Sequence, residues 1–174
     1  MSLVIYTIGH STRTAEEFLA LLDAHGVRQI ADVRTIPQSK RQPHFGRDTL
    51  AAFLQAHGTG YRHFPALGGL RRPRKDSINT AWQHPGFRGY ADHMQTDEFR
   101  NAIGELEQFA SVTSTSVLCA EAVWWQCHRR LLADALIFRG ASVRHILSTA
   151  EPKPHELSDF ARAADGGVIY PGLL

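Results

Sequence analysis

Apolar and polar positions along the chain follow two periods, and the switches between them mark the elements. Leu3-Val4-Ile5-Tyr6-Thr7-Ile8 is a short β-branched apolar run closed by Gly9, the pattern of a strand buried on both faces. Thr14 and Glu17 have capping-box spacing, Phe18, Leu21 and Leu22 recur at helical intervals, and Gly26 supplies a left-handed stop. A helix is therefore predicted from about Ala15 to His25. Val27 to Val33 returns to the strand pattern and ends in Asp32-Val33-Arg34, after which Pro37, Pro43 and Gly46 break regular structure. Asp48 is placed as the cap of a second helix carrying Leu50, Phe53 and Leu54, and Tyr61 to Phe64 predicts a third strand. Pro65 to Gly86 reads as a long irregular loop. Beyond it, Phe87 to Met94 forms a short helix, and Thr96 caps another whose Phe99, Ile103, Leu106 and Phe109 line one face. Thr115 to Ala120 is strand-like, Cys127 to Arg139 helical with Leu131, Leu132, Ala135 and Leu136 inward, and Ser142 to Leu147 strand-like again.

The order strand, helix, strand thus occurs at both ends of the chain. It predicts an α/β fold: a single three-layer domain, Rossmann-like, with a mostly parallel sheet flanked by helices and right-handed crossovers. A length of 174 residues suits one domain over 1–174. Residues 151–174 are expected to be an accessory C-terminal segment, with a weak helix near Glu156 to Ala164 and a short stretch Val168-Ile169-Tyr170.

Composition narrows the class. With 43% hydrophobic and 21% charged residues the chain is far from the disordered corner. No apolar run approaches the roughly 18–20 residues that cross a bilayer, and Met1 to Ile8 lacks the basic start of a secretion signal, so a soluble, cytoplasmic protein is expected with no membrane partner. Cys119 and Cys127 are too few for a disulfide scaffold; reduced thiols are the default, although the two can still bond to each other, bind metal or react. The net charge of +2 hides an asymmetry. Val27 to Lys75 holds ten Lys or Arg against Asp32 and Asp48, and the rest of the chain is net acidic. Lys40-Arg41 and the run Arg71 to Lys75 can guide a phosphate or nucleic acid, or simply be solvated.

Open parallel sheets bind ligands beyond the carboxyl ends of their strands. Three polar clusters fall at such ends: Gly9-His10-Ser11-Thr12-Arg13, Asp32-Val33-Arg34, and Cys119-Ala120-Glu121 running on to Cys127-His128-Arg129. Together with Thr7-Ile8-Gly9-His10-Ser11, Pro37, Ser39, Leu67-Gly68-Gly69 and the Val143-Arg144-His145-Ile146 strand, these resemble the signature blocks of the family called domain of unknown function 488 (DUF488). The resemblance runs in order from residue 7 to about 147. It implies an α/β fold and marks these blocks as distinctive, but brings no reaction, substrate or cofactor.

The residues themselves suggest roles. Cys127, at the start of a helix, is an optional nucleophile or a small packing residue. Arg129 and Arg34 can grip an anion in two-point fashion, with Ser11 and Arg13 as further anion contacts. Glu121, partly desolvated past a buried strand, and His10 or His128 can move protons. Asp32 either orients a histidine or pairs with an arginine. Trp124 and Trp125 either stack on a ring or close the core. Trp125 stands where a C-x5-R phosphatase loop from Cys119 needs arginine, and no G-x-S-x-G elbow surrounds Ser11. Neither a C-x-x-C pair nor an H-E-x-x-H helix is present, so no metal site is assigned, and no cofactor is implied. The expectation is an enzyme acting on an anionic, phosphate-containing or nucleic-acid-derived substrate. A noncatalytic nucleotide or nucleic-acid binder, or a partner-binding domain, is the alternative.

Overall fold

The computed structural model describes residues 2–172. Its central sheet has the strand order β3-β2-β4-β1-β5-β6, built from β1 (Val4–Gly9), β2 (Gln29–Asp32), β3 (Gly60–His63), β4 (Thr115–Cys119), β5 (Ser142–Ile146) and β6 (Lys153–Pro154). The first five are parallel, and β6 returns antiparallel to β5, pairing Lys153 with His145. The architecture is α/β with a mostly parallel six-stranded sheet. In β1 Ile5 joins one core cluster and Ile8 the other, and in β4 Val117 and Leu118 divide in the same way. One cluster takes Phe18, Leu22, Leu50 and Leu54 from α1 (Ala15–Ala24) and α2 (Arg47–Ala56). The other takes Tyr90, Ile103, Leu106 and Leu132 from α3 (Pro85–His93), α4 (Asp97–Ala110) and α5 (Arg129–Phe138). Among the described residues no helix is long and apolar enough to cross a membrane.

The caps follow the sequence closely at two helices. Thr14 and Glu17 complete a reciprocal box at α1, and the Thr96 hydroxyl accepts from the Phe99 N–H at α4. Elsewhere the boundaries differ. Gly46, not Asp48, is the cap of α2; Asp48 sits in the first turn, where the helix dipole favours its charge. α3 begins at Pro85, capped by the His84 ring. α5 begins at Arg129, so Cys127 lies just outside it with extended backbone and His128 is the cap.

The tail corrects the expectation of a helix at Glu156 to Ala164. Arg162–Ala164 (β7) and Gly167–Ile169 (β8) form an antiparallel hairpin, turning at Asp165 and Gly166 with φ of 46° and 76°. Asp-Gly is the residue pair such a turn selects, since both central positions need positive φ. After the hairpin, Tyr170 is fully buried, and its main chain pairs with Asn79 and Ala81. These contacts tie down the long loop after β3. That loop is also pinned by Asp92 of α3, which accepts from the Ser77 hydroxyl, the Asn79 amide and the Arg74 N–H.

A line of buried polar groups crosses from α5 to the tail. An Arg129 Nη1 donates to the Thr7 hydroxyl, 3.3 Å away, and the Thr7 hydroxyl donates to His145 Nδ1 at 2.6 Å. His145 Nε2 reaches His155 Nδ1 at 2.9 Å, and His155 Nε2 reaches Asp134 at 2.7 Å. Asp134 also accepts from the Tyr170 hydroxyl and the Ser158 N–H. A carboxylate can only accept, which fixes the proton on His155 Nε2 and orients every donor toward Asp134. Burial, with His155 and Arg129 nearby, pushes His145 down to about 2, so its ring is neutral under the stacked Trp124. Tyr170→Phe strips one partner from this buried carboxylate. It is expected to lower the unfolding free energy by about 1–3 kcal/mol, read as a lower urea midpoint with an unchanged slope.

Candidate functional site

The three polar clusters meet. β1, β2 and β4 are adjacent parallel strands, and their carboxyl ends open on a cavity of about 480 Å³. His10, Arg34, Glu121, Cys119, Cys127 and His128 all line it. The turn after β1 is locked to the turn after β4 by backbone bonds from His10 to Cys119 and from Ser11 to Ala120. Gly9 permits this approach, because a Cβ there would overlap the Glu121 carbonyl.

Cys127 and His128 line this cavity as a pair. The His128 Nε2–H donates to the Val33 carbonyl at 3.0 Å, which leaves Nδ1 as the acceptor, 3.6 Å from Cys127 Sγ. A thiol is thus paired with an imidazole whose tautomer is set by a third group, the arrangement that activates a cysteine. The Arg129 N–H at the start of α5 lies 3.4 Å from the same sulfur, and Cys119 Sγ lies 2.7 Å from it. Burial pushes the Cys127 thiol up, but Cys119, the His128 ring and the Arg129 guanidinium outweigh it and hold Cys127 well below the usual thiol range. Burial and the neighbouring Cys127 push Cys119 well above it. The surroundings therefore favour a negative charge on Cys127 over one on Cys119. Gly69 makes room for this geometry, since a Cβ would overlap the His128 ring.

Arg34 is the cationic wall. Asp32, fully buried, holds it by two parallel bonds of 2.9 and 2.7 Å, and the Tyr61 hydroxyl donates to the same carboxylate. Among the described residues Asp32 therefore bonds to Arg34 and Tyr61, not to His10 or His128. Arg34 is 6% exposed, yet its Nη1 is buried and has no hydrogen-bond partner among the described residues. His10 stacks on Phe45, and its Nδ1–H donates to the Ser11 carbonyl, which leaves Nε2 as an acceptor. Burial, despite that bond, and the neighbouring Arg34 lower His10 to about 4, so at neutral pH it is an uncharged acceptor and not a half-titrated shuttle.

Other expected residues lie elsewhere. Arg129 is 1% exposed and sits beneath the cavity, one Nη donating to the Glu121 carbonyl at 2.6 Å and the other to Thr7. Arg13 clamps the carbonyls of Gly9 and Leu147. Ser11, at φ 50°, borders an adjoining cleft with Arg41 and Trp125. The Glu121 side chain is exposed at the rim, not desolvated. Trp124 packs on His145. Arg71 turns back onto the carbonyls of Gly68 and Pro65, and Arg74 pairs with Asp76, so these two members of the basic run are engaged within their own loop, while Arg72 and Lys75 are exposed.

Sequence patterning missed the apolar mouth. Ile36 and Leu70 stand 64% and 72% exposed beside Phe87, joined by Thr35, Gln38 and His84. The Leu67-Gly68-Gly69 block was the available signal, because two glycines in a row imply close approach of the chain to something fixed. Among the described residues no group of three or more His, Cys, Asp or Glu is arranged to hold a metal ion.

A family model described as domain of unknown function DUF488 matches residues 14–136. No curated protein and no solved structure matches the chain.

A depressed thiol keeps its reactive form until the pH falls through the lowered value. The alkylation rate of Cys127 by iodoacetamide is therefore expected to level off at a lower pH than that of an ordinary thiol, which climbs toward its pKa of roughly 8.5. Gly69→Ala, which displaces His128, is expected to restore a rising profile. Mass spectrometry of the modified peptide against pH reads both.

Proposed function

Because the chain belongs to the family described as domain of unknown function DUF488, whose description names no reaction, we propose from its geometry that it is a thiol-dependent enzyme acting on a small anionic substrate. The observation that carries this reading is one cavity holding the Cys127–His128 pair together with Arg34, a buried cation with an unpartnered Nη1. A guanidinium in the wall of a cavity favours a carboxylate or phosphate oxygen over any neutral group. Cys127 Sγ attacks the substrate's electrophilic atom; the bond to the leaving group breaks, and the leaving group takes the proton held on His128 Nδ1, which leaves a covalent bond between the substrate and Cys127. The Arg129 N–H at the head of α5 supports the thiolate before attack. His10 Nε2 accepts a proton from the water that releases the product, and the exposed Glu121 exchanges protons between the cavity and bulk water. Ile36, Leu70 and Phe87 favour a substrate whose charged group is joined to an apolar portion.

A three-layer, Rossmann-like arrangement is the companion reading of the fold. The alternation of Ile5 and Ile8 between two core clusters supports it. The protein is read as cytoplasmic, where glutathione and thioredoxin systems keep such thiols reduced.

The test uses two alkylators of equal size and opposite character, iodoacetate and iodoacetamide. Iodoacetate is expected to modify Cys127 with saturation kinetics, to be slowed by inorganic phosphate, and to lose its advantage in Arg34→Met, while iodoacetamide shows none of these effects. Equal, unsaturated rates for both reagents would overturn the anionic-substrate reading. Phosphate protection without any alkylation of Cys127 would favour a noncatalytic anion-binding protein.

A further inference from the structure

Cys119 has no part in the reaction above, yet it is the closest group to the nucleophile. It ends β4, is 2% exposed, lines the same cavity and touches Cys127 sulfur to sulfur at 2.7 Å. Both cysteines are free, and no rearrangement of strand or helix is needed to bring them into contact. The segment between them, Ala120 to Gln126, is short and held at its first turn by the Arg129 and Ser11 contacts, so a bond between the sulfurs would close a small, already ordered loop. A packing role for Cys119 explains its burial but not its place in the cavity wall beside the one activated thiol.

We infer that Cys119 and Cys127 are a two-thiol redox centre that reduces hydroperoxides, Cys127 being oxidised first and Cys119 resolving it. The inference shares Cys127 with the proposed function but does not need an anionic substrate.

The chemistry balances in three steps. The Cys127 thiolate attacks the distal oxygen of a hydroperoxide; an S–O bond forms, the O–O bond breaks with its electron pair going to the leaving oxygen, and that oxygen takes a proton to leave as an alcohol. Arg34 lines the same cavity, and its positive charge favours the negative charge that develops on the departing oxygen. Cys119 then attacks Cys127 Sγ in the resulting sulfenic acid; the S–S bond forms, and hydroxide leaves with the Cys119 proton as water. An external dithiol finally reduces the disulfide by exchange, restoring both thiols. The apolar mouth at Ile36, Leu70 and Phe87 favours an organic hydroperoxide over hydrogen peroxide.

Both cysteines fall on one tryptic peptide, Asn101 to Arg129, and exposed Glu121 lies between them. Wild-type protein treated with one equivalent of cumene hydroperoxide is expected to yield this peptide two hydrogens lighter. Cleavage after Glu121 should then give fragments that stay joined until reduced. With dithiothreitol present, the wild type should consume the hydroperoxide over many turnovers. Cys119→Ser should stop cycling and accumulate a dimedone-reactive sulfenic acid on Cys127. Absence of the linked fragments in oxidised wild type overturns the inference, as does undiminished cycling by Cys119→Ser. If the linked fragments form while iodoacetate shows no advantage over iodoacetamide, the anionic-substrate reading falls and this one stands. The reverse result leaves Cys127 a nucleophile without a resolving thiol.

Discussion

Arg129 is the largest fully buried side chain in the molecule, and it carries a permanent charge with no carboxylate within ion-pair distance among the described residues. A buried charge left uncompensated costs several kcal/mol, so the surroundings must supply negative potential by other means. They do so in two directions. Above, the Glu121 carbonyl and the thiolate centred on Cys127 lie close to the guanidinium. Below, the aligned bonds through Thr7, His145 and His155 carry polarisation from the Asp134 carboxylate. The cation thus stabilises the anionic sulfur, and the sulfur helps to make burial of the cation tolerable.

That mutual dependence explains how scaffold and site are joined. β1 contributes Thr7 and the Gly9 turn, β4 contributes Cys119 and the Glu121 carbonyl, and α5 contributes Arg129 itself. Each contact that seats the guanidinium also fixes one wall of the cavity. Arg34 is handled in the opposite manner. Asp32 neutralises it with a two-point pair, and the Arg34 Nη1 stays buried without a hydrogen-bond partner among the described residues. Of the two arginines that the sequence offers as anion ligands, one lies beneath the cavity beside Cys127 and the other lines it.

Legibility of the fold in the sequence tracks how local its causes are. The box at Thr14 and Glu17, the Thr96 cap and the apolar runs of β1, β2, β4 and β5 are decided within a few residues, and the elements stand where the pattern puts them. The hairpin at Asp165-Gly166 was also locally encoded, but its strands are too short to show alternation. The rim was legible as far as topology goes, because parallel neighbours bring their carboxyl ends together. Side-chain direction was not. Whether Arg129 points up or down depends on Thr7, far away in sequence, and on a carbonyl in the irregular turn at Glu121, and the exposure of Glu121 depends on a carbonyl of the same residue being held instead of its carboxylate. The apolar mouth was hidden for a related reason: Ile36 and Leu70 sit in irregular segments where no period announces them.

The two-residue β6 settles how the sheet ends. Pro152 and Pro154 bracket Lys153, so the outer margin of this strand lacks amide donors at both flanking positions, and a charged side chain stands between them. At the opposite margin β3 is four residues long and carries the exposed Arg62, paired with Glu105. Neither border offers the long, flat, donor-rich template onto which a strand of another molecule would add, which keeps a sheet rich in Val and Ile from growing between chains.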